Sequence, residues 1–287
     1  MAMSFKSVLL PLMLATILLP AQMPLPVSAA VLATDVPLGN NQALRSQAEQ
    51  LFVLGNQARA AQGLRPLQWD PALAAAALNH CARMAAEGPI SHQYAGEPDL
   101  SQRAGRAGAH FSLIEENVAV GAYPAQIHQA WMNSHGHREN LLNPEVNRVG
   151  VAVVARGDML YAVVDFGRAV SVLTPEQVEA TVAGLVRTKG VAAHGNSAGA
   201  RLACAQDHGM PVSLDHMRPE FIMRWQDAAL DRLPDALLER MATGKYHEAA
   251  VGSCPSQSAD GTFTVYRVAV LLLRPATGGS RTYLSSK

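Results

Sequence analysis

The stretch WMNSHGHREN, Trp131 to Asn140, sets two imidazoles, His135 and His137, either side of Gly136. Residues of that type can ligate a metal, act as general bases, or sit as cationic rings against the carbonyls of a helix end. Three other stretches draw attention with it: SHQ around His92, EENVAVG around Glu116, and NRVGVAV at 147–153. An activated nucleophile leaves no comparable trace, since no serine or cysteine is recognisably paired with a base.

These residues have to be positioned by regular elements. QAEQLFVLGNQARAAQGL carries apolar residues at helical spacing, and Gly63, followed by Pro66, stops it. Asp70 as cap and Pro71 at the first position start a second helix that ends at Gly88. A short helix is expected near 100–107, within a glycine-punctuated stretch that runs through Glu116 without a clear period. AYPAQIHQAWMNS restores helical spacing, with Gly136 as its expected C-terminal cap; His135 then lies at the helix end and His137 beyond it. VGVAVVA and MLYAVVDFG read as a hairpin joined by Arg156-Gly157-Asp158, where a tight turn explains the Arg-Gly-Asp tripeptide without any adhesion receptor.

A second set of elements begins at Leu173. Thr174, Pro175 and Gln177 form a helix start, followed by helices around 198–206 and 233–242, a strand near 221–225, and a hairpin connected through Ala259-Asp260-Gly261. The expected organisation is a leader over 1–30, a linker over 31–45, a first domain over 46–170, and a small α+β domain over 171–287 that shows no cofactor, nucleotide or nucleophile motif. Cys204 and Cys254 fall in that last part. A bridge between them would close about 51 residues and contribute roughly 4 kcal/mol. Cys81 shares a helical face with Leu73, Ala77 and Met84 and reads as a buried thiol.

The order of the four stretches, preceded by N-x-x-R-x-x-x-G-L-x-x-L-x-W-D from Asn56 to Asp70, resembles the CAP superfamily of cysteine-rich secretory, venom-allergen and pathogenesis-related proteins. The resemblance covers about residues 46 to 170. It implies an exported α/β protein, an α-β-α sandwich, with a surface cleft of two histidines and acidic partners. His92 and His137 match the histidines and Glu116 the first acid. The second acid of many eukaryotic members is Ser134 here, so the cleft has one carboxylate fewer to hold a cation. Two imidazoles and a carboxylate in one cleft suit zinc or another divalent ion, with His92 and His137 as the ligands. The competing reading is a structural hydrogen-bonded pair of histidines tied together by Glu116.

Residues before 31 support export: Lys6 precedes an apolar run from Val8 to Leu19, and Val27-Ser28-Ala29-Ala30 resembles a cleavage site. Prolines 11, 20, 24 and 26 argue against a membrane span. The expected location is therefore secreted or periplasmic. The 23 basic residues balance the 23 acidic ones with no run of like charge, which speaks against electrostatic capture of nucleic acid. The leading functional expectation is a non-catalytic binding module for a lipid-like or cell-envelope ligand. The alternative is a metal-dependent hydrolase of peptide or ester bonds, with an ion on His92 and His137 and Glu116 activating its water. A third is an interaction protein whose C-terminal part docks a partner.

Overall fold

The computed structural model describes residues 38–211, 214, 217–256 and 263–275; the expected leader and the Ala259-Asp260-Gly261 connection lie outside them. The first helix, α1 (Leu38–Ala61), reaches back through 38–45, where a linker was expected. Its last turns carry the clasp of the Asn56 to Asp70 motif. Asn56 exchanges two hydrogen bonds with the Leu67 backbone. Arg59, 1% exposed, donates to the carbonyls of Arg65, Leu141 and Asn143 at 3.0, 2.9 and 2.8 Å.

After the short strand β1 (Gln68–Trp69), α2 (Pro71–Glu87) starts where Asp70 Oδ1 accepts from the Ala72 and Leu73 amides, and stops at Gly88, φ +103°. There follow α3 (Leu100–Arg106), β2 (Phe111–Gly121), α4 (Pro124–Asn133), α5 (His135–Leu142), β3 (Arg148–Arg156) and β4 (Met159–Ala169). The sheet order is β1-β3-β4-β2, with β1 parallel to β3 and the other pairs antiparallel. One face packs Leu51, Ile127, Trp131 and Leu141 of α1, α4 and α5 against Val151, Val153, Ala162 and Val164. The other packs Ala77, Cys81 and Met84 of α2 against Val118, Ala152 and Val163. This is the α-β-α sandwich.

Two local readings change. Residues 111–121, without visible period in the sequence, form an 11-residue strand. Three adjacent polar residues, Glu115, Glu116 and Asn117, obscure its alternation, and pairing with β4 along its length overrides them. Gly136 is not a cap either. Ser134 takes an extended conformation that separates α4 from a new helix, so both His135 and His137 lie in the first turn of α5.

The C-terminal part contains α6 (Pro175–Arg187), β5 (Ala192–His194), α7 (Ala198–Ala205), β6 (Met217–Asp227), α8 (Asp235–Ala242), β7 (Glu248–Cys254) and β8 (Tyr266–Pro275). Thr174 and Gln177 complete the expected capping box of α6, and Cys204 is bonded to Cys254. Its sheet repeats the first: order β5-β7-β8-β6, β5 parallel to β7, the remaining pairs antiparallel. Helices α6 and α8 cover one face as α1 and α4 do, and α7 covers the other as α2 does. Even the irregularities recur. Both β2 and β6 shift register near their starts, at Phe111/Leu113 and Pro219/Phe221.

The glycines under α2 and α7 match as well. A Cβ on Gly150 would lie 2.1 Å from the backbone of Leu73 and Ala74, third and fourth after the cap Asp70. A Cβ on Gly252 would lie 2.2 and 2.3 Å from the backbone of Ala200 and Arg201, third and fourth after the cap Ser197. In each sheet a missing side chain lets the helix backbone rest on the strand. Gly150→Ala should therefore cost about 3 kcal/mol or more in chemical denaturation, because backbone rather than a mobile side chain has to move. Gly136→Ala, inside α5 with nothing within 4 Å, should be neutral or stabilising by up to about 1 kcal/mol.

Candidate functional site

Strand β2 is the edge strand of its sheet, and successive residues on it point to opposite faces. Glu116 belongs to the α2 face and Asn117 to the α5 face. Glu116 meets His92, which stands in the loop after α2; the imidazole Nδ1 lies 2.8 Å from Oε1. Asn117 Nδ2 donates to the His137 carbonyl at 2.8 Å, while its Oδ1 accepts from Asn140 Nδ2 at 3.0 Å. The same Asn140 amide donates to the Glu116 carbonyl. The two rings, His92 and His137, thus approach around the strand edge with centroids 6.4 Å apart.

The carboxylate itself is buried: Glu116 is 6% exposed. Its second oxygen accepts from the Arg103 guanidinium of α3 and lies 3.9 Å from His80 Nε2. His80, fully buried on α2, has its other nitrogen 2.8 Å from Glu97 Oε1, and its Nε2 lies 2.9 Å from the Ser91 carbonyl. Arg103 also donates to the His92 carbonyl, which ties the loop to α3. The His92 side chain remains 59% exposed.

Hydrogen bonding to Glu116 raises the His92 pKa above its ordinary 6.5, against the opposing effect of burial. For His137 burial, and then the neighbouring His92 charge, act in the other direction. One ring of the pair therefore takes a proton more readily than the other. Cys81 is sealed beneath α2, where burial pushes its thiol up to about 12, so it offers no thiolate.

The structure brings His92, Glu116 and His137 together. Ser134 stands at the α4/α5 junction, its side chain making no capping hydrogen bond. His135 is exposed and faces Glu139, 3.2 Å away, not the carbonyls of a helix end; the break at Ser134 puts it at a helix N-terminus. Trp131 is a core anchor whose indole N–H donates to the Val118 carbonyl. Reading the sequence missed His80, Glu97, Arg103 and Asp165. A signal existed for two of them. His80 continues the apolar face Leu73, Ala77, Met84 of α2, and Asp165 interrupts an apolar strand; a charged or polar group on a buried face needs a partner.

Among the described residues no three His, Cys, Asp or Glu side chains converge as a metal-binding group. With both Glu116 oxygens engaged, the donor set for an ion is two imidazoles, one short of the three protein ligands of a catalytic zinc site. Two imidazoles fall short of a catalytic zinc site by themselves, and both Glu116 oxygens already accept hydrogen bonds. No described helix is long and apolar enough to cross a membrane.

Residues 54–166 match the model of the cysteine-rich secretory protein family, CAP. The chain is 36% identical over 115 residues to the uncharacterized protein YkwD of Bacillus subtilis, covering 39% of this chain and 44% of that one. It is 33% identical over 107 residues to the uncharacterized membrane protein YlbC of the same organism, covering 37% and 31%. Among solved structures, an extracellular protein containing an SCP domain from Bacillus anthracis is 31% identical, with a TM-score of 0.42 over 45% of this chain and 42% of that one. The chain spans less than half the length of each of these relatives.

The site makes unequal demands on its members. Glu116→Gln leaves the buried Arg103 guanidinium without its counter-charge and should cost about 3–5 kcal/mol in thermal or urea unfolding. His92→Ala should cost at most about 1 kcal/mol, because the ring is largely exposed and screened. That smaller contribution has a pH signature. With the folded pKa raised, it is complete below 6.5 and fades as pH rises through the folded value. Unfolding of wild type and His92→Ala between about pH 5 and 8 checks the sign.

Proposed function

Because residues 54–166 are a domain of the cysteine-rich secretory protein family, we propose that this chain is an extracytoplasmic binding module. It holds a lipid-like or cell-envelope component at the His92, Glu116, His137 cleft without transforming it. One observation carries this reading. The Glu116 carboxylate beside His92 has one oxygen on that ring and the other on Arg103, so it is occupied as a structural counter-ion and not available as a base. Among the described residues no hydroxyl or thiol in the cleft is paired with a base that could activate it.

What the cleft offers outward is a donor. Glu116 holds His92 by Nδ1, which leaves Nε2 directed away from the carboxylate, and the raised pKa favours an N–H there. A phosphate or carboxylate of the ligand is the complementary acceptor. At the His137 ring burial, and then the neighbouring His92, disfavour a positive charge, so this side of the cleft is the less basic one. The Cys204 to Cys254 disulfide supports an oxidising compartment, in keeping with the leader expected over 1–30.

Two probes test the proposal: vesicles containing phosphatidylglycerol, and soluble muropeptides. Saturable binding of the full chain to one of them is expected, weakening at least about tenfold in His92→Ala, loss of a charge-assisted hydrogen bond being worth roughly 1.5–3 kcal/mol. Binding should also weaken as pH rises through the His92 pKa, while His135→Ala binds as wild type does. Absence of saturable binding to both probes, together with turnover of a peptide or ester substrate, would overturn it.

A further inference from the structure

Behind Glu116 lies a second acid. Asp165 of β4 is directly opposite Glu116 of β2 and, on its other side, opposite Gly150 of β3, so both carboxyl groups belong to the α2 face of the sheet. Asp165 is 0% exposed, and neither of its oxygens has a hydrogen-bond partner among the described residues. The groups acting on it are Glu116 from β2, Arg103 from α3 and the Cys81 thiol from α2, with His80 of α2 and the exposed His92 reached only through Glu116. The guanidinium in that set donates to Glu116 through Nη2, and its buried Nε, itself without a partner among the described residues, makes no hydrogen bond to Asp165.

An ionised Asp165 would be a buried charge with no donor, next to a second carboxylate. A single proton removes both penalties. As a carboxylic acid Asp165 gains one donor, and the acceptor facing it is Glu116. Burial, then the Glu116 charge, raise its pKa well above that of an ordinary aspartate.

The C-terminal sheet supplies an internal control. The β8 residue opposite Gly252 is Ala269, and the β6 residue opposite Ala269 is Arg224. Arg224 also stands three places after the register shift in β6, as Glu116 does in β2. The same sheet order is thus built once with a carboxyl pair at these positions and once with a fully buried alanine and an arginine that donates to the Ala203 and Gly209 carbonyls. The fold does not require the acid. A costly buried group that the scaffold can do without belongs to the site.

We infer that Asp165 is a positioning residue of the cleft: a neutral carboxylic acid whose hydroxyl donates to Glu116 and holds that carboxylate in place for His92 and Arg103. The inference refines the site proposed above and rests on that reading only for its purpose; its test reads protons and unfolding, not ligand.

In the full-length protein, carboxyl-carbon NMR should find Asp165 titrating well above an ordinary aspartate, near 3.9. Because the folded pKa is raised, the stability Asp165 contributes is complete below its unfolded value and is lost as pH rises towards the folded one. Asp165→Asn lacks that loss, so its advantage over wild type in urea unfolding should grow with pH, by up to about tenfold in the unfolding constant per pH unit. Asparagine keeps a donor for Glu116 and should preserve the raised His92 titration midpoint, whereas Asp165→Leu should let that midpoint fall back towards about 6.5. An Asp165 carboxyl that titrates as an ordinary aspartate does, or a His92 midpoint unmoved in Asp165→Leu, overturns the inference. Loss of probe binding with these titrations as expected counts against the proposed function alone.

Discussion

Burying the Glu116 carboxylate is the constraint around which the first sandwich is arranged. An anion at 6% exposure has to be matched by donors and cations, and they arrive from three directions: His92 from the loop after α2, Arg103 from α3, and His80 from α2 itself. Each carries further structure with it. Arg103 holds the His92 carbonyl, and His80 holds Glu97 and the Ser91 carbonyl, so residues 91–97 are shaped by the same network that neutralises the acid. A buried ion pair of this kind adds little net stability over apolar packing, but it fixes one geometry, since every alternative leaves a charge unmatched.

Strand β2 turns that fixed geometry into a cleft. As an edge strand it leaves the two faces of the sheet accessible around one border, and its strict alternation sends neighbouring residues to opposite faces. Glu116 secures the His92 side while Asn117 secures the backbone of α5 and so the His137 side. Two helical layers that never touch through the sheet are brought into register by two consecutive residues. The apolar anchors, Trp131 above all, set the distance at which α4, and α5 after it, lie from that edge.

The second sheet shows which of these features the scaffold needs. It keeps the strand order, the register shift, the glycine beneath a capped helix and the three-layer packing, because those follow from backbone hydrogen bonding and close approach. Among the described residues it has no helices corresponding to α3 and α5, and Arg224 and Ala269 stand where the first sheet has Glu116 and Asp165. Its buried acid sits elsewhere. Glu179 of α6 accepts from Arg201, Asn196 and Ser253, a fully satisfied clasp between helix and sheet that resembles the role of Arg59 in the first sandwich more than that of the cleft.

Local chemistry was legible from the residues in order. Asp70 and Pro71 announce α2, Thr174 with Gln177 announces α6, and the two runs either side of Gly157 and Asp158 announce a hairpin, because caps and turns are decided within a few residues of themselves. The pairing of Cys204 with Cys254 was legible too, as was the family resemblance, which the family model matches over 54–166. Strand β2 was not, since its polar middle satisfies no period and only β4 gives it a conformation. Nor was the break at Ser134, which depends on where α4 meets the sheet, nor the repetition of one topology by two stretches with little visible likeness. Above all, sequence order could not say that Glu116 has no free oxygen or that Asp165 lies against it. Those are facts of burial and cross-strand register, which exist only once distant segments share one layer of the fold.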